Sequence, residues 1–263
     1  MLIIVFNPVK TGKRQSEIVA LLRAMQIELR VDDLARMLQV SAITIRRDLE
    51  QLAGDSLIIR THGGCLAAGR AALETEYHAK VAHNFSLKQA IGRAAAEEVS
   101  SGNIVLINDG STTYHLAAHL EHKGPLTVYT NSLAMITDLN RCPGIALYIL
   151  GGKYNGELYS LQGSLTEQVL ESLQFDLCFI GADKVTPEGT CMVVTPEEAS
   201  LTRAMLRRAR RRILLADHTK CGSGGYFAYG SLRDFQLWIT TPGIAPESMQ
   251  FYSTIVAIKE AAQ

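Results

Sequence analysis

The nine residues Ser41-Ala42-Ile43-Thr44-Ile45-Arg46-Arg47-Asp48-Leu49 set two adjacent arginines, a threonine and a small capping residue at the start of an amphipathic helix. Ala42, Ile45, Leu49 and Leu52 recur at helical spacing, and Ser41 stands where an N-cap belongs. The same spacing turns Ile43, Thr44, Arg47 and Gln51 away from the apolar stripe, with Arg46 near its edge. Upstream, Val31, Leu34, Ala35 and Leu38 form a second stripe, and Ile18, Leu21, Leu22 and Met25 a third. Downstream, residues 57–61 (Leu-Ile-Ile-Arg-Thr) run into His62-Gly63-Gly64, a short hairpin with a glycine bend.

Three helices followed by a hairpin make a winged helix-turn-helix, whose last helix is suited to a DNA major groove. There Arg47 offers a two-pronged contact to guanine, Gln51 pairs with adenine, and Ile43 meets a thymine methyl. Ser41 and Arg46 are placed for phosphates, Thr44 shares the outward face, and Arg60 and His62 lie on the wing. An isolated helix with two arginines reads equally well as a solvated face; the preceding helix, the turn and the hairpin decide for DNA. Asp48, beside both arginines, is expected to orient a guanidinium.

Bulk charge gives no such signal, since Lys+Arg and Asp+Glu both number 26. Residues 1–65 carry nine basic and seven acidic side chains, a bias too weak to argue from. An apolar content of 47% over 263 residues describes an ordinary globular chain. Cysteines 65, 142, 178, 191 and 221 form no C-x-x-C pair, which suits reduced thiols and a cytoplasmic location. No apolar run is long enough to span a bilayer, so no membrane partner is expected. The apolar residues 2–6 read as an N-terminal extension without assigned purpose.

From about residue 88 helices and strands alternate. Strands are expected at 104–107, 126–129, 146–150, 177–180, 213–216 and 237–239, and helices at 113–120, 165–172 and 197–210. This is an α/β pattern with a mainly parallel sheet covered on both faces. The expected domains are 12–66, a linker over 67–87, and 88–263. Polar residues follow the strands: Asn108-Asp109-Gly110-Ser111-Thr112-Thr113, Thr130-Asn131-Ser132, Gly151-Gly152-Lys153, Gly181-Ala182-Asp183-Lys184 and Asp217-His218-Thr219-Lys220. Ligands bind at the carboxyl ends of such strands, so the five loops are expected to converge on one site. Gly110-Ser111-Thr112-Thr113, opening a helix, is suited to a phosphate, with Lys220 as its cation and Asn131 and Asp183 for sugar hydroxyls. Each residue alone reads as well as a turn, a cap or a surface lysine.

The chain resembles the DeoR family of bacterial transcriptional regulators. The resemblance rests on S-x-x-T-I-R-R-D-L at 41–49 and R-x-H-G-G at 60–64. It continues through Ile91-Gly92-Arg93, Gly110-Ser111-Thr112-Thr113, Thr130-Asn131-Ser132, Leu150-Gly151-Gly152, Gly181-Ala182-Asp183, Glu197-Glu198-Ala199 and Leu215-Ala216-Asp217-His218-Thr219-Lys220. It implies a C-terminal domain similar to ribose-5-phosphate isomerase that senses a phosphorylated sugar and adjusts operator binding of a homo-oligomer, dimer or tetramer. Asp109, Gly110, Ser111, Thr112, Thr113, Asn131, Gly152, Asp183, Lys184 and Lys220 are the effector-binding candidates. Three positions depart from the family pattern: Asn108 for a frequent aspartate, Ser56 for a glycine, and Lys184 for a glycine. Asp183 and Glu198 are the only acids that would suit an isomerase, and their flanking residues are incomplete for one. No catalytic residue, metal ligand or cofactor is assigned. His115 and His119 are expected to be exposed helix residues, and the arginines from Arg207 to Arg212 to mark a helix end.

Overall fold

The computed structural model describes residues 11–25, 28–54, 58–61, 63–67, 77, 79–224 and 226–262. His62 and the apolar residues 2–6 lie outside them. The chain divides into two units, Met1–Glu76 and Tyr77–Gln263.

In the first unit α1 (Thr11–Met25), β1 (Leu29–Arg30), α2 (Val31–Leu38), α3 (Ala42–Gly54), β2 (Ile58–Arg60) and β3 (Gly64–Ala67) follow in order. The expected stripes meet in one core of Ile18, Leu22, Val31, Leu34, Ile45, Leu49, Leu52, Ile58 and Cys65. Burying each of the larger aliphatic side chains contributes roughly 1.5–3 kcal/mol. The turn between α2 and α3 is closed by Gln39 in the left-handed region, φ 53°, with Val40 N–H donating to Ala35 O at 3.1 Å. The hairpin is joined by β1, which the periodicity did not reveal because it is two residues long, giving the antiparallel order β1-β3-β2. Gly64 is required there, since a Cβ would lie 2.2 Å from Leu29 O on the neighbouring strand.

The second unit carries, in order, α4 (Phe85–Ala96), β4 (Ile104–Ile107), α5 (Tyr114–Ala117), β5 (Leu126–Thr130), α6 (Ile136–Leu139), β6 (Ile145–Ile149), β7 (Lys153–Asn155), β8 (Ser160–Gln162) and α7 (Ser164–Glu171). Then come β9 (Phe175–Gly181), β10 (Lys184–Val185), β11 (Thr190–Val193), α8 (Pro196–Arg207), β12 (Ala209–Leu215), β13 (Phe227–Ser231), β14 (Leu237–Thr240), α9 (Pro246–Ser253) and β15 (Ala257–Glu260). The six expected strands lie in a seven-stranded sheet of order β15-β14-β12-β9-β4-β5-β6, parallel throughout. Its two faces are separate cores. Leu177 and Phe179 of β9 pack with Val105, Ile107, Ile213 and Leu215, while Cys178 and Ile180 pack with Leu106, Leu214 and Trp238. Burial on both faces explains why these strands read as unbroken apolar runs.

Strand order reverses at β4, whose neighbours are β5 on one side and β9 on the other. At such a switch point the loops leaving adjacent strands turn to opposite faces and open a crevice between them. That crevice lies between the loop after β4 and the loop after β9.

Four of the expectations differ from the structure. The helix expected over 113–120 is α-helical only from Tyr114 to Ala117. The arginine run straddles two elements, because α8 ends at Arg207 and β12 begins at Ala209 to pair with β9. Two of its side chains are engaged within the domain, while Arg207 and Arg210 are exposed: Arg211 pairs with Glu98 at 2.7 Å and Arg208 Nε donates to Leu173 O at 2.9 Å. His115 is buried, its Nε2 3.2 Å from Val81 O and its ring 5.2 Å from Phe85, and His119 is half-buried against Gln89 Oε1 at 3.0 Å. α4 packs so closely on α5 that a Cβ on Gly92 would lie 2.5 Å from His115 O. The stretch read as a linker up to residue 87 enters the second unit at Tyr77, which is buried.

Candidate functional site

On α3 the Ser41 hydroxyl accepts from Thr44 N–H at 3.1 Å and lies 2.8 Å from the Thr44 hydroxyl, so Ser41 caps the helix and Thr44 is tied to that cap. Ile43, Arg46, Arg47, Glu50 and Gln51 are exposed, and Ile43 is 71% so. Arg60 on the wing donates from Nη1 to Arg46 O at 3.3 Å, bracing the helix from behind. Asp48 does not orient Arg46 or Arg47. It is buried on the core side of α3 and takes a two-pronged contact from Arg14 of α1, at 2.5 and 3.0 Å. Gln51 is drawn the same way, its Oε1 accepting from Gln15 Nε2 at 3.0 Å.

In the second unit a cleft opens at the switch point, about 720 Å³ counting its mouth. Its floor is the two loops from β4 and β9, held together by Asn108. The buried Asn108 Oδ1 accepts from Gly181 N at 3.2 Å, Gly110 N at 3.3 Å and the Thr113 hydroxyl at 3.0 Å. A carboxamide thus fills the position that departs from the family pattern, and it does so as a staple. Gly110 and Gly181 allow the loops to abut, a Cβ on Gly110 lying 3.6 Å from Gly181 Cα. Among the described residues the Ser111 and Thr112 amides donate to no acceptor, which leaves them for a ligand. With α5 only four residues long, an anion placed here would meet these amides and the hydroxyls, and a helix dipole would contribute little.

Asp109, Gly110, Ser111, Thr112, Asp183 and Lys220 line the cleft as expected from their loops. Thr113, Asn131, Gly152 and Lys184 do not line it. Thr113 donates its hydroxyl back to Asn108 O at 2.8 Å, and Asn131 is buried with Nδ2 donating to Leu161 O at 3.1 Å. Gly152 serves packing, since a Cβ there would lie 2.1 Å from the Thr166 hydroxyl. Lys184 turns toward the segment after β12, where a Cβ on Gly222 would lie 3.8 Å from its Nζ. Place within the loop decides this more than strand order, since the segment after β6 does reach the cleft, through Leu158 and Gln162.

Residues absent from the expected set complete the site. Tyr77 and Lys80 line the cleft from the segment read as a linker, and Glu198 lines it from the first turn of α8. Glu198 also closes a capping box, its Oε2 accepting from Thr195 N at 3.1 Å. Lys88 of α4 is buried and donates to the Ser111 hydroxyl at 3.0 Å and to the Lys80 carbonyl. No local motif marks Lys88, because its partners lie on loops brought over it by the tertiary fold.

Burial pushes the Glu198 carboxyl up to about 7, and the like charges of Asp109 and Asp183 add to this. Asp109 is also raised, by burial first, against hydrogen bonding from Ser160 and Asn131. Burial lowers the Lys88 ammonium to about 8, Lys220 reinforcing the shift. The cleft thus holds hydroxyls and free amides beside a cation, with the Glu198 carboxyl only partly charged near neutral pH. Groups of three or more His, Cys, Asp or Glu able to hold a metal are absent among the described residues.

Residues 14–70 match the DeoR-like helix-turn-helix domain, and residues 83–241 match the DeoR C terminal sensor domain. The chain belongs to the DeoR family of transcriptional regulators. Among its relatives are the transcriptional repressor AccR of Agrobacterium fabrum, 31% identical over 91% of this chain and 92% of that one. The transcriptional repressor GlcR of Bacillus subtilis is 32% identical, covering 86% of this chain and 88% of that one. A ribose 5-phosphate isomerase from Plasmodium falciparum superposes with a TM-score of 0.38, at 16% identity over 53% of this chain and 54% of that chain; nothing here rests on that likeness. As a DeoR-family regulator the chain joins a DNA-binding head to a sensor domain, and all the residues lining its cleft except Tyr77 and Lys80 fall within the sensor match.

Proposed function

We propose that this regulator represses a carbohydrate-use operon as a homo-oligomer and leaves its operator when a phosphorylated sugar occupies the cleft. The observation that carries the sensing half is the meeting of Ser111, Thr112, Lys88 and Lys220 at the switch point, with Asp183 and Glu198 beside them. Free amides, hydroxyls and a buried ammonium suit a phosphate; the carboxylates suit sugar hydroxyls. Two α3 helices would read half-sites about one helical turn apart. Release follows only if the sugar phosphate binds the non-operator conformation more tightly.

Separate variants test the two halves. Arg47→Ala weakens specific DNA binding by ~1–3 kcal/mol and leaves sugar-phosphate binding intact. Thr112→Ala and Lys220→Ala keep operator affinity and lose release. Gel shifts on the upstream DNA, challenged with a panel of sugar phosphates, check both. Unchanged affinity in the first variant, or wild-type release in both others, overturns the corresponding half.

One observation favours a second reading, an aldose–ketose phosphate isomerase. A carboxyl titrating near 7, as Glu198 does, is suited to a general base. The sensor reading expects no turnover of pentose or hexose phosphates by the pure protein. Conversion that disappears in Glu198→Gln or Asp183→Asn would replace it.

A further inference from the structure

The outward face of α3 has a centre that the arginines alone do not occupy. At about 100° per residue, Arg47 and Glu50 lie roughly 40° and 20° to either side of the line through Ile43. That line is opposite the buried Ile45, Asp48, Leu49 and Leu52. Gln51 falls toward the margin, where Gln15 holds its carbonyl oxygen. Thr44 is tied to Ser41, and Asp48 is turned into the core. Glu50 is exposed and has neither a hydrogen bond nor an ion pair among the described residues. It is therefore the one unengaged carboxylate on the face that also carries Ile43 and Arg47.

We propose that Glu50 is a specificity-determining residue, selecting at one position of each half-site a base that presents an exocyclic amine in the major groove, with cytosine preferred. This rests on α3 being the base-contacting helix. A carboxylate is an acceptor only, so phosphates and the O6 and N7 edge of guanine repel it. The amines at cytosine N4 and adenine N6 are the donors it can meet, and cytosine offers no acceptor atom beside its amine as adenine does at N7. Arg47 and Glu50 are about 4.5 Å apart along the helix axis, close to the ~3.4 Å step between bases of one strand. The two side chains thus reach neighbouring base pairs, Arg47 selecting guanine and Glu50 the amine-bearing base beside it. Glu50 subtracts from affinity for arbitrary DNA through phosphate repulsion and adds to discrimination at one position.

The test is selection of randomised double-stranded DNA by the full-length protein, followed by titration of the selected duplex and its single-base variants. Wild type is expected to select cytosine, or secondarily adenine, beside a guanine, and to lose roughly 10- to 100-fold in affinity when that base is changed. Glu50→Ala tolerates all four bases there within about twofold and keeps the rest of the motif. Glu50→Gln shifts the preference to adenine. A Glu50→Ala variant that gains affinity equally for every sequence overturns the proposal, leaving Glu50 a repulsive charge only. Arg47→Ala in parallel separates the failures. If it loses the guanine while Glu50→Ala changes nothing, only the Glu50 role falls. If neither variant alters the motif, the reading of α3 falls with it.

Discussion

Asp48→Ala is expected to destabilise the first unit by about 3–5 kcal/mol, because it removes the buried carboxylate with which the Arg14 guanidinium pairs. The pair joins α1 to α3 across the core, so its loss frees the helix that carries Arg47. In a domain of this size each kcal/mol moves the midpoint by roughly 4–8 °C. Calorimetry of the full chain should show the transition of the first unit well over ten degrees lower and that of the second unit unmoved. Specific DNA binding is then lost at temperatures where sugar-phosphate binding persists. Replacing both partners, Arg14→Met with Asp48→Leu, is expected to recover most of the stability, since an apolar pair of similar volume removes both desolvation penalties. A single Asp48→Ala variant that melts with wild type would show that the pair is not structural.

Lys88→Met is expected to abolish the response to effector while the protein stays folded. Lys88 is the buried cation beneath Ser111, and methionine fills its volume without a charge to desolvate. Truncating one partner of a buried charge pair costs 2–5 kcal/mol or more, so sugar-phosphate affinity should fall at least ~30-fold. Operator affinity without sugar phosphate should be unchanged. The same geometry fixes the sign of a pH effect. As pH rises from 6.5 to 9, Glu198 gains negative charge through about 7 and Lys88 loses positive charge through about 8, so both weaken binding of an anion. Titration calorimetry should show affinity falling over this interval, less steeply in Glu198→Gln and least in Lys88→Met. Affinity that rises over the interval would exclude Glu198 and Lys88 as neighbours of the phosphate. Glu198 also links pH to stability. Its folded value exceeds the ordinary 4.5, so the folded state holds the extra proton, and stability declines as pH rises from about 4.5 to 7.

The sequence was read well where one side chain's role follows from its neighbours along the chain. The stripes Val31–Leu34 and Ile45–Leu49–Leu52, the Ser41 cap and the glycine bend before β3 are local patterns, and the structure contains them. The five inner strands announced themselves because both faces of a parallel sheet are apolar, and the edge strand β6 through its own apolar run. β10, β11, β13 and the β7–β8 pair escaped notice, being short or polar and defined by their partners more than by themselves. Asp48 was misread for the same reason. Adjacency along the chain placed it beside two arginines, while helix geometry turned it to the opposite side and tertiary packing supplied Arg14. Glu50 shows the converse, carrying no motif signal of its own in the sequence and lying near the centre of the exposed face.

The sequence by itself determined a DNA-reading head, a parallel α/β sensor and five polar loops at the ends of its strands. Those properties follow from periodicity and turn chemistry, which act over a few residues. Only the tertiary structure decided which loops make the site. Strand order put the reversal at β4, so the loops after β4, β9 and β12 supply cleft residues, while the loop after β5 became packing and the segment after β6 contributes Leu158 and Gln162 in place of Gly152. It also brought Tyr77, Lys80, Lys88 and Glu198 to that point from segments with no motif of their own. Burial there, not residue type, sets the charge on Lys88 and Glu198, and no count of charges along a chain contains it.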